Sequence, residues 1–388
     1  MIVSQAQAKR PLIAVNARFL LHNKLEGIGR FTHETLKIIT QANPHIDFAF
    51  LFDRAYHPQF IYGKNVIPHV LYPPARHPVL WYTWFEWRVP YLLKKLKPQL
   101  FFSPDGYCSL RSKTPTYMVV HDLAFEHLPQ QVPPLVAKYY RYFSPKFATH
   151  AQHIATVSQF TKLDLVTKYQ IPEQKISVVG NGINTLFKPI PKAQQQQIRL
   201  QYTNQKPYFL FVGALHPRKN IGNILLAFDA FCKQLGQAPA KLVIAGRQAW
   251  QTQDITQIYQ QLTYKDEVVF TGHLQTEQLA DIAASAMALV YTSFFEGFGV
   301  PIIEAMACGT PVIISSRSAM PEVAGNAALI VQNPNDYNEI KQAMIQIFQQ
   351  PNLANHLTIL GFENAKRYSW QKTANLLWAD MENLINKT

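Results

Sequence analysis

Short apolar runs alternate with longer amphipathic stretches along most of the chain. In the first half the runs predict strands at 12–15, 48–52, 99–103, 117–120, 153–157 and 176–179, with a helix over 29–40. A second alternation begins at 208–212 and continues to about Val331, and helical patterns follow at 336–349, 352–367 and 371–386. Strands separated by helical stretches are typical of parallel sheets with crossover helices. The pattern therefore predicts an α/β protein.

Length and a break in this pattern predict two domains. The chain has 388 residues, more than the ~250–300 at which a single core stops growing. The alternation lapses around 184–197, where Lys, Pro and a run of four glutamines occur, and we interpret this segment as a linker. We expect an N-terminal domain over 1–190 and a C-terminal domain over 195–370.

The segment from Glu296 to Val312 carries the richest candidate chemistry. Glu296 and Glu304 stand eight positions apart, and a Gly-x-Gly loop follows the first of them. Pro301 suits the first turn of a short helix and Gly309 its end, so the segment predicts strand, loop, helix and strand. The amides of such a loop, at a positive helix terminus, suit phosphate or sugar oxygens. The alternative is a buried structural unit with two solvated glutamates.

Arg218 and Lys219 lie between a predicted strand and a predicted helix. If the loop at 296–300 binds a nucleotide diphosphate as a leaving group, that group needs cations or a metal to offset its charge. The sequence contains no Asp-x-Asp triplet, so we expect no metal and no other cofactor and assign the diphosphate to these two side chains. Two cations at a helix N-terminus would oppose its dipole, which argues against a purely structural role.

Three residues of the first half are further candidates. Gly27 and Gly29 lie between the first strand and its helix, where glycine allows close backbone approach. His121 ends a predicted strand, the position at which open α/β sheets place ligands. A lone histidine is usually structural, and Asp122 beside it is either its orienting partner or a helix cap.

Several motifs together resemble a known family. The segment 296–304 resembles the E-x7-E signature of retaining glycosyltransferase family 4, which has the GT-B fold of two Rossmann-like parallel-sheet domains facing a central cleft. Further segments match in the expected order, at 27–31, 120–123, 156–161, 179–183, 211–220, 243–246 and 269–272. The resemblance spans about 12 to 320, and it implies that the final helix, 371–388, packs on the first domain.

The resemblance also implies roles for the candidate residues. Arg218 and Lys219 would bind the diphosphate of a nucleotide sugar, and the loop of Gly27 and Gly29 would cover it. His121 would contact hydroxyls of the transferred sugar and stabilise an oxocarbenium-like state.

The remaining donor-site residues come from the second half. We assign Glu296 to hydroxyls of the donor sugar and Glu304 to the ribose. The other predicted donor-binding residues are Gly213, Phe298, Gly299 and Val300.

The expected reaction is transfer of a hexosyl group with retention of configuration. The His-Asp-Leu segment is similar to that of mannosyl- and rhamnosyl-type polysaccharide enzymes, so GDP-mannose is the expected donor, followed by a UDP-hexose. A glycan or a lipid-linked molecule is the expected acceptor. A sugar phosphorylase, a nucleotide-sugar epimerase or a non-catalytic sugar-binding protein are the alternatives.

Charge is unevenly distributed. Residues 1–200 contain 24 basic and 10 acidic side chains, a balance of +14, whereas residues 201–388 contain 13 and 14, a balance of −1. An anionic membrane surface or acceptor would explain the basic half, as would simple solubility. No zinc-finger, helix-turn-helix or RNP-type pattern occurs, so we expect no nucleic acid partner.

The cluster Trp81 to Trp87, followed by basic residues, suggests either an interfacial membrane helix or a helix of the core. Tryptophans at every third position favour the core. Three widely spaced cysteines, no secretory signal and no long apolar run predict a cytoplasmic protein, with peripheral membrane contact as an extension.

Overall fold

The computed structural model describes residues 10–22, 24–247 and 253–387. They divide into two compact units: unit 1 runs to Gly180 and resumes at Trp370, and unit 2 is Asn181–Ser369. Each unit contains one sheet in which all paired strands are parallel. The predicted α/β class with two parallel sheets is confirmed.

Unit 1 has a seven-stranded sheet of order β3-β2-β1-β4-β5-β6-β7. Its strands are β1 (Leu12–Asn16), β2 (Asp47–Phe52), β3 (Val66–Val70), β4 (Leu100–Ser103), β5 (Thr116–Val120), β6 (His153–Thr156) and β7 (Ile176–Val178). The helices between them are α1 (Ile28–Ala42), α2 (Pro78–Thr83), α3 (Val89–Leu96), α4 (Ala124–His127), α5 (Pro134–His150) and α6 (Gln159–Tyr169). A π turn over Trp84–Arg88 joins α2 to α3.

Unit 2 has a six-stranded sheet of order β10-β9-β8-β11-β12-β13. Its strands are β8 (Tyr208–Val212), β9 (Lys241–Ala245), β10 (Val268–Gly272), β11 (Ala288–Tyr291), β12 (Val312–Ser315) and β13 (Ala328–Val331). The helices are α7 (Lys192–Thr203), α8 (Ile221–Gln234), α9 (Gln253–Gln261), α10 (Thr276–Ser285), α11 (Val300–Ala307), α12 (Met320–Ala324), α13 (Tyr337–Gln349) and α14 (Pro351–Ala365).

The last helix, α15 (Trp370–Asn386), follows unit 2 in sequence but packs on α1 and β4 of unit 1. Asp380 on this helix accepts hydrogen bonds from the Tyr117 hydroxyl of β5 (2.6 Å) and from the Ser177 hydroxyl of β7 (2.5 Å). On the other face of the same sheet, Met118 belongs to the apolar core formed with the α2–α3 helix and α5. Helices therefore cover both faces of the sheet in unit 1.

Two parts of the sequence-based prediction differ from the structure. Strand β3 was not predicted, because it is an edge strand that contains Pro68 and a half-polar pattern. The segment predicted as a linker, 184–197, includes the start of α7, which packs on α10. Its glutamine run carries no apolar period, although glutamine is a good helix former.

The tryptophan cluster of unit 1 is only partly a core element. Trp84 is fully buried and Trp81 is half-buried, whereas Trp87 is 56% exposed. A three-residue repeat falls short of the 3.6 residues of a helical turn, so successive members drift around the helix. The predicted buried stripe is therefore wrong for Trp87. No helix in the described ranges is both long enough and apolar enough to span a bilayer.

Candidate functional site

The candidate residues of unit 2 cluster where its strand order reverses. Strand β8 pairs with β9 on one side and with β11 on the other, so the crossover direction changes between β8 and β11. Loops at the carboxyl ends of two such strands diverge and leave a crevice, the usual ligand position in open parallel sheets. Arg218 and Lys219 follow β8, and Glu296 follows β11.

Arg218 and Lys219 both bind the carboxylate of Glu296. The Arg218 Nη1 lies 3.0 Å from Glu296 Oε2, and the Lys219 Nζ lies 2.6 Å from Glu296 Oε1. Arg218 also donates to the Phe295 carbonyl at 2.6 Å. The sequence predicted all three charged residues for one site, and unit 2 brings them into contact over 77 positions of sequence.

The two cations control the ionisation of Glu296. Burial alone would raise its pKa, but the charges of Arg218 and Lys219 outweigh burial and lower the pKa to about 2. The carboxylate is therefore ionised at neutral pH and the three side chains together carry one net positive charge. Each carboxylate oxygen has a second acceptor position, so Glu296 can hold the cations and still accept a hydroxyl hydrogen bond.

Two residues that were not predicted from the sequence fix this cluster. The Tyr291 hydroxyl, at the end of β11, accepts a hydrogen bond from Lys219 Nζ at 2.8 Å. Asn220 adopts a left-handed conformation (φ 61°), and its buried amide donates to the carbonyls of Thr292 (2.9 Å) and Pro334 (2.7 Å). Asn220 therefore ties the loop after β8 to the loop after β11. In the sequence, the only hint of this role is that an asparagine, a residue that tolerates the left-handed conformation, directly follows the Arg-Lys pair.

The predicted glycine loop and helix are confirmed in position. Gly299 has φ 98° and precedes α11, which begins at Val300 with Pro301 in its first turn. An added Cβ on Gly299 would lie 2.9 Å from the Ile302 Cδ1. Phe298 is buried with its ring edge-on to Tyr368 at 5.5 Å, so its side chain supports the loop.

Glu304 lies on α11, about one turn after the helix begins. It is 8% exposed, and it lines a small, mostly apolar cavity with Leu210 and Leu289. Tyr291 lies within electrostatic range of both Glu296 and Glu304 and has a raised pKa, chiefly because it is buried. The two glutamates thus flank one tyrosine in different surroundings.

Gly213, directly after β8, lies against Lys219: a Cβ built on it would be 3.7 Å from the lysine Cε. Its amide donates to the Ala245 carbonyl at 2.9 Å, and its φ of 147° favours glycine. A Cβ on Gly246 would lie 1.8 Å from the Gly213 carbonyl oxygen. The ends of β8 and β9 therefore touch through two glycines.

In unit 1, Gly27 and Gly29 begin α1. Gly27 has φ 48° and occupies the N-cap position. A Cβ on Gly29 would lie 2.7 Å from the Phe19 carbonyl, and the Gly29 amide donates to the Glu26 carbonyl at 2.9 Å. The glycine loop is present as predicted. The Gly29 amide is used within the turn, and glycine is required at this position because the Phe19 carbonyl leaves no room for a Cβ.

His121 follows β5 and is held by backbone. Its Nε2 lies 2.9 Å from the Pro104 carbonyl, which can only accept, so Nε2 carries the proton. Burial lowers the pKa of His121, so the ring is neutral at pH 7. The Asp122 carboxylate accepts from the Ala124 amide at 2.9 Å, which favours the helix-cap interpretation over that of an orienting partner.

A buried ion pair beneath His121 was not predicted. Arg18, after β1, binds Asp105, after β4, at 2.5 Å, and its guanidinium lies 4.2 Å from the centre of the Tyr107 ring. Asp105 also accepts from Ser103, the last residue of β4. The pair fixes the loop that contains Pro104, the partner of His121. Such a link cannot be found from the sequence, because its two residues are 87 positions apart.

Candidate metal ligands are not grouped in the parts of the chain that the structure covers: no cluster of three or more His, Cys, Asp or Glu side chains is arranged to hold an ion. The three cysteines are buried and form no disulfide. Burial raises the pKa of the Cys308 thiol to about 12 and that of Cys232 likewise.

Both halves of the chain match protein families. Residues 193–363 match the family described as Glycosyl transferases group 1, and residues 26–186 match Glycosyltransferase Family 4. The chain is 28% identical to the O-antigen chain mannosyltransferase B of Escherichia coli, over 73% of this chain and 74% of that protein. It is 29% identical to the O-antigen chain mannosyltransferase RfbU of Salmonella typhimurium, over 78% of this chain and 81% of that protein.

Solved structures share the architecture. A sucrose-phosphate synthase from Thermosynechococcus elongatus superimposes with a TM-score of 0.80 at 19% identity, covering 98% of this chain and all of the other. Identity at this level supports the fold alone. The two family matches together cover most of the chain, so the protein belongs to glycosyltransferase family 4 and is a glycosyltransferase, and the superposition shows that it has the GT-B fold.

Proposed function

We propose that this glycosyltransferase moves a mannosyl group from GDP-mannose to a glycan or lipid-linked acceptor, with retention of configuration. The observation that carries the proposal is the cluster of Arg218, Lys219 and Glu296 at the strand reversal of unit 2. It combines two cations for a diphosphate with a carboxylate for sugar hydroxyls. The O-antigen mannosyltransferases among the relatives support the choice of mannose.

In the proposed reaction the cations stabilise the departing diphosphate, the largest charge change of the step. Arg218 supplies a planar fork and Lys219 a point charge. Glu296 and the amides of Phe298, Gly299 and Val300 hold the sugar and phosphate.

Glu304 is assigned to the ribose, and Gly213, Gly27 and Gly29 are assigned to the backbone around the donor. His121 stabilises the sugar-centred positive charge. Its Nε2–H donates to the Pro104 carbonyl, so the Nδ1 lone pair is available to accept a hydrogen bond from a sugar hydroxyl. The departing phosphate assists deprotonation of the acceptor.

The donor is tested by thermal shift with GDP, UDP and ADP and their sugars. We expect GDP and GDP-mannose to raise the melting temperature most. The Lys219→Ala variant should lose the shift, whereas Lys366→Ala, which removes an exposed lysine paired with Glu363, should keep it. A shift with UDP and its sugars alone would mean that the donor is a UDP-sugar and not GDP-mannose. No shift with any nucleotide would contradict the assignment of the site.

Metal independence is tested by transfer in excess chelator. Because the two side-chain cations offset the diphosphate charge, we expect no change in rate. A rate lost with chelator and restored by Mg²⁺ or Mn²⁺ would contradict this part of the proposal. NMR of the product should show an α-linked mannoside, and a β-linked product would contradict retention.

We place the protein in the cytoplasm with peripheral contact to the inner face of a membrane. The balance of +14 in residues 1–200 supports this placement, since an anionic leaflet attracts basic protein surfaces. Nucleic acid is not a proposed partner.

A further inference from the structure

Two neighbouring helices of unit 1 expose aromatic and basic side chains together. The first is the continuous helix formed by α2, the π turn and α3, and the second is α5. Both pack their apolar sides into the same core, which includes Trp84 and Phe147. Trp81 of the first helix stacks on Tyr140 of the second at 5.7 Å. Their outward sides therefore share one surface of unit 1.

The outward side of the first helix follows helical spacing. Trp87 is 56% and Tyr91 is 72% exposed, one turn apart, and Lys94 and Lys95 follow about one turn later. At 3.6 residues per turn these positions lie within an arc of about 120°. Leu92 and Leu93, on the opposite side, are buried in the core.

Helix α5 repeats the arrangement. Tyr142 is 58% exposed, and the Lys146 Nζ lies 3.4 Å from the centre of its ring. Lys138 and Leu135, at i−4 and i−7 from Tyr142, are also exposed and lie on the same side. We call the outward side of both helices the helix-pair surface: Trp87, Tyr91, Lys94, Lys95, Tyr142 and Lys146.

Charge on this surface has one sign. The two helices, 78–96 and 134–150, contain six Lys or Arg residues and a single acidic residue, Glu86. Glu86 is 4% exposed and accepts from the Leu110 amide, so it does not contribute an exposed negative charge. Arg141 is loosely paired with Glu126 of α4, at 3.9 Å. The lysines have no acidic neighbour on their own helices.

We propose that the helix-pair surface docks the protein on an anionic lipid bilayer. Lysines attract anionic headgroups, and their aliphatic stems lie along apolar surface. Exposed Trp and Tyr side chains suit the headgroup level, with the ring in apolar surroundings and the polar atom in water. The proposal specifies the surface for the membrane contact of the proposed function and does not depend on the donor or on the reaction.

The test is co-sedimentation with phosphatidylcholine vesicles and with equimolar phosphatidylcholine–phosphatidylglycerol vesicles. We expect binding to the anionic vesicles only, weakening as salt rises. Lys94→Glu with Lys95→Glu should weaken it at least about tenfold, since each surface cation contributes on the order of a factor of five. The matched control is Lys37→Glu with Lys64→Glu, which makes the same charge change at exposed sites outside these helices.

A second variant tests the aromatic part. Trp87→Ala with Tyr91→Ala should weaken vesicle binding while the net charge is unchanged. The wild-type tryptophan fluorescence should shift to the blue on binding, and the shift should be smaller in this variant, which lacks Trp87. Equal binding by the Lys94/Lys95 variant and its control would overturn the proposal, as would equally tight binding to a single-stranded oligonucleotide. Nucleotide thermal shifts, measured on the same variants, should be unchanged. A failure of vesicle binding is therefore distinguishable from a failure of the donor site.

Discussion

Glu296 occupies an unusual position for a buried carboxylate, because each of its oxygens is bound to a different cation. A buried charge is costly unless it is paired, and here the pairing also fixes where the two cations point. The same carboxylate can therefore set the geometry of the proposed donor site before a donor binds. It positions the two cations that are proposed to neutralise phosphate, in addition to the sugar contact proposed for it.

Replacing Glu296 by Gln should damage stability and activity together. The substitution keeps the shape but leaves Arg218 and Lys219 facing one another without a negative charge. We expect the free energy of unfolding of unit 2 to fall by about 2 kcal/mol or more, and kcat/KM by about a hundredfold. Urea unfolding and initial rates measure the two effects.

The matched control is Glu363→Gln, which removes an exposed glutamate paired with Lys366 in the same unit. An exposed pair contributes little, so stability should change by less than about 1 kcal/mol. Equal losses in the two variants would mean that the cluster around Glu296 has no special role.

The lowered pKa of Glu296 predicts a defined pH dependence. A carboxylate with a lowered folded-state pKa stabilises the protein above its ordinary value of 4.5, and this contribution is lost as the pH falls towards about 2. The stability difference between wild type and Glu296→Gln should therefore shrink between about pH 4.5 and about pH 2. Urea midpoints across this range measure it, and a constant difference would show that the pairing does not lower the pKa.

Among individual residues, the charged members of the cluster were predicted from the sequence, but the groups that hold them in place were not. Glu296, Arg218 and Lys219 follow buried strands in a recognisable order of motifs. Tyr291 lies 72 positions from Lys219, with which it bonds, and a tyrosine that ends an apolar run is an ordinary strand residue. Only the folded contact gives it a role.

Strand ends in unit 2 meet more closely than ordinary side chains allow. The carbonyl of Gly213 after β8 lies where a Cβ of residue 246 would be, just after β9. Because the obstruction is backbone, a larger residue cannot be accommodated by a side-chain rotation. The loop that carries Arg218 and Lys219 therefore depends on a glycine in a neighbouring strand loop.

The Gly246→Ala variant should be destabilised by at least about 2 kcal/mol, as for an overpacked site. Its nucleotide-induced thermal shift should also weaken, because the loop after β8 must move. Gly222→Ala is the control. Gly222 lies on α8, and a Cβ added to it would lie 2.8 Å from the Ile258 Cδ1, the end of a side chain that can rotate away. Helix propensity favours alanine there, so its cost should be near zero. Comparable losses of stability in the two variants would mean that the backbone contact at Gly246 has no special effect.

Elements with a strong apolar period were predicted, and those without one were not. The buried strands β1, β2, β4 and β5 have nearly continuous apolar runs. The edge strand β3 contains a proline and alternates weakly, and α7 is mostly polar. Their structures depend on what they pack against, which a single local pattern does not contain.

For the molecule as a whole, the chain leaves unit 1 after Gly180 and returns to it at Trp370. Helix α15 buries Trp370, Ala374, Leu377 and Met381, one side of the helix at regular spacing. The alternation of strands and helices was enough to predict two sheets. Only the family resemblance predicted that the final helix packs on the first sheet. Its amphipathic pattern shows that one side is buried, but it does not specify which element covers that side.

This connection predicts which strands are destabilised by a cavity in the buried side of α15. Leu377 is fully buried, so Leu377→Ala should cost about 2–5 kcal/mol. Hydrogen exchange should show faster exchange in β1, β4 and β5 and no change in β8 or β11. The adjacent Leu376 is 40% exposed, and Leu376→Ala should leave both units unaffected. Faster exchange confined to unit 2 would contradict the assignment of α15.

The return of α15 also has a consequence for synthesis on the ribosome. Unit 1 begins first, but the helix that covers α1 and β4 is translated only after all of unit 2. Until then, the apolar surface that α15 covers is open to water and to other nascent chains. Unit 2 is contiguous and can complete its sheet earlier. The first unit to be started is thus the last to be finished, and chaperones that bind exposed apolar surface would meet it there.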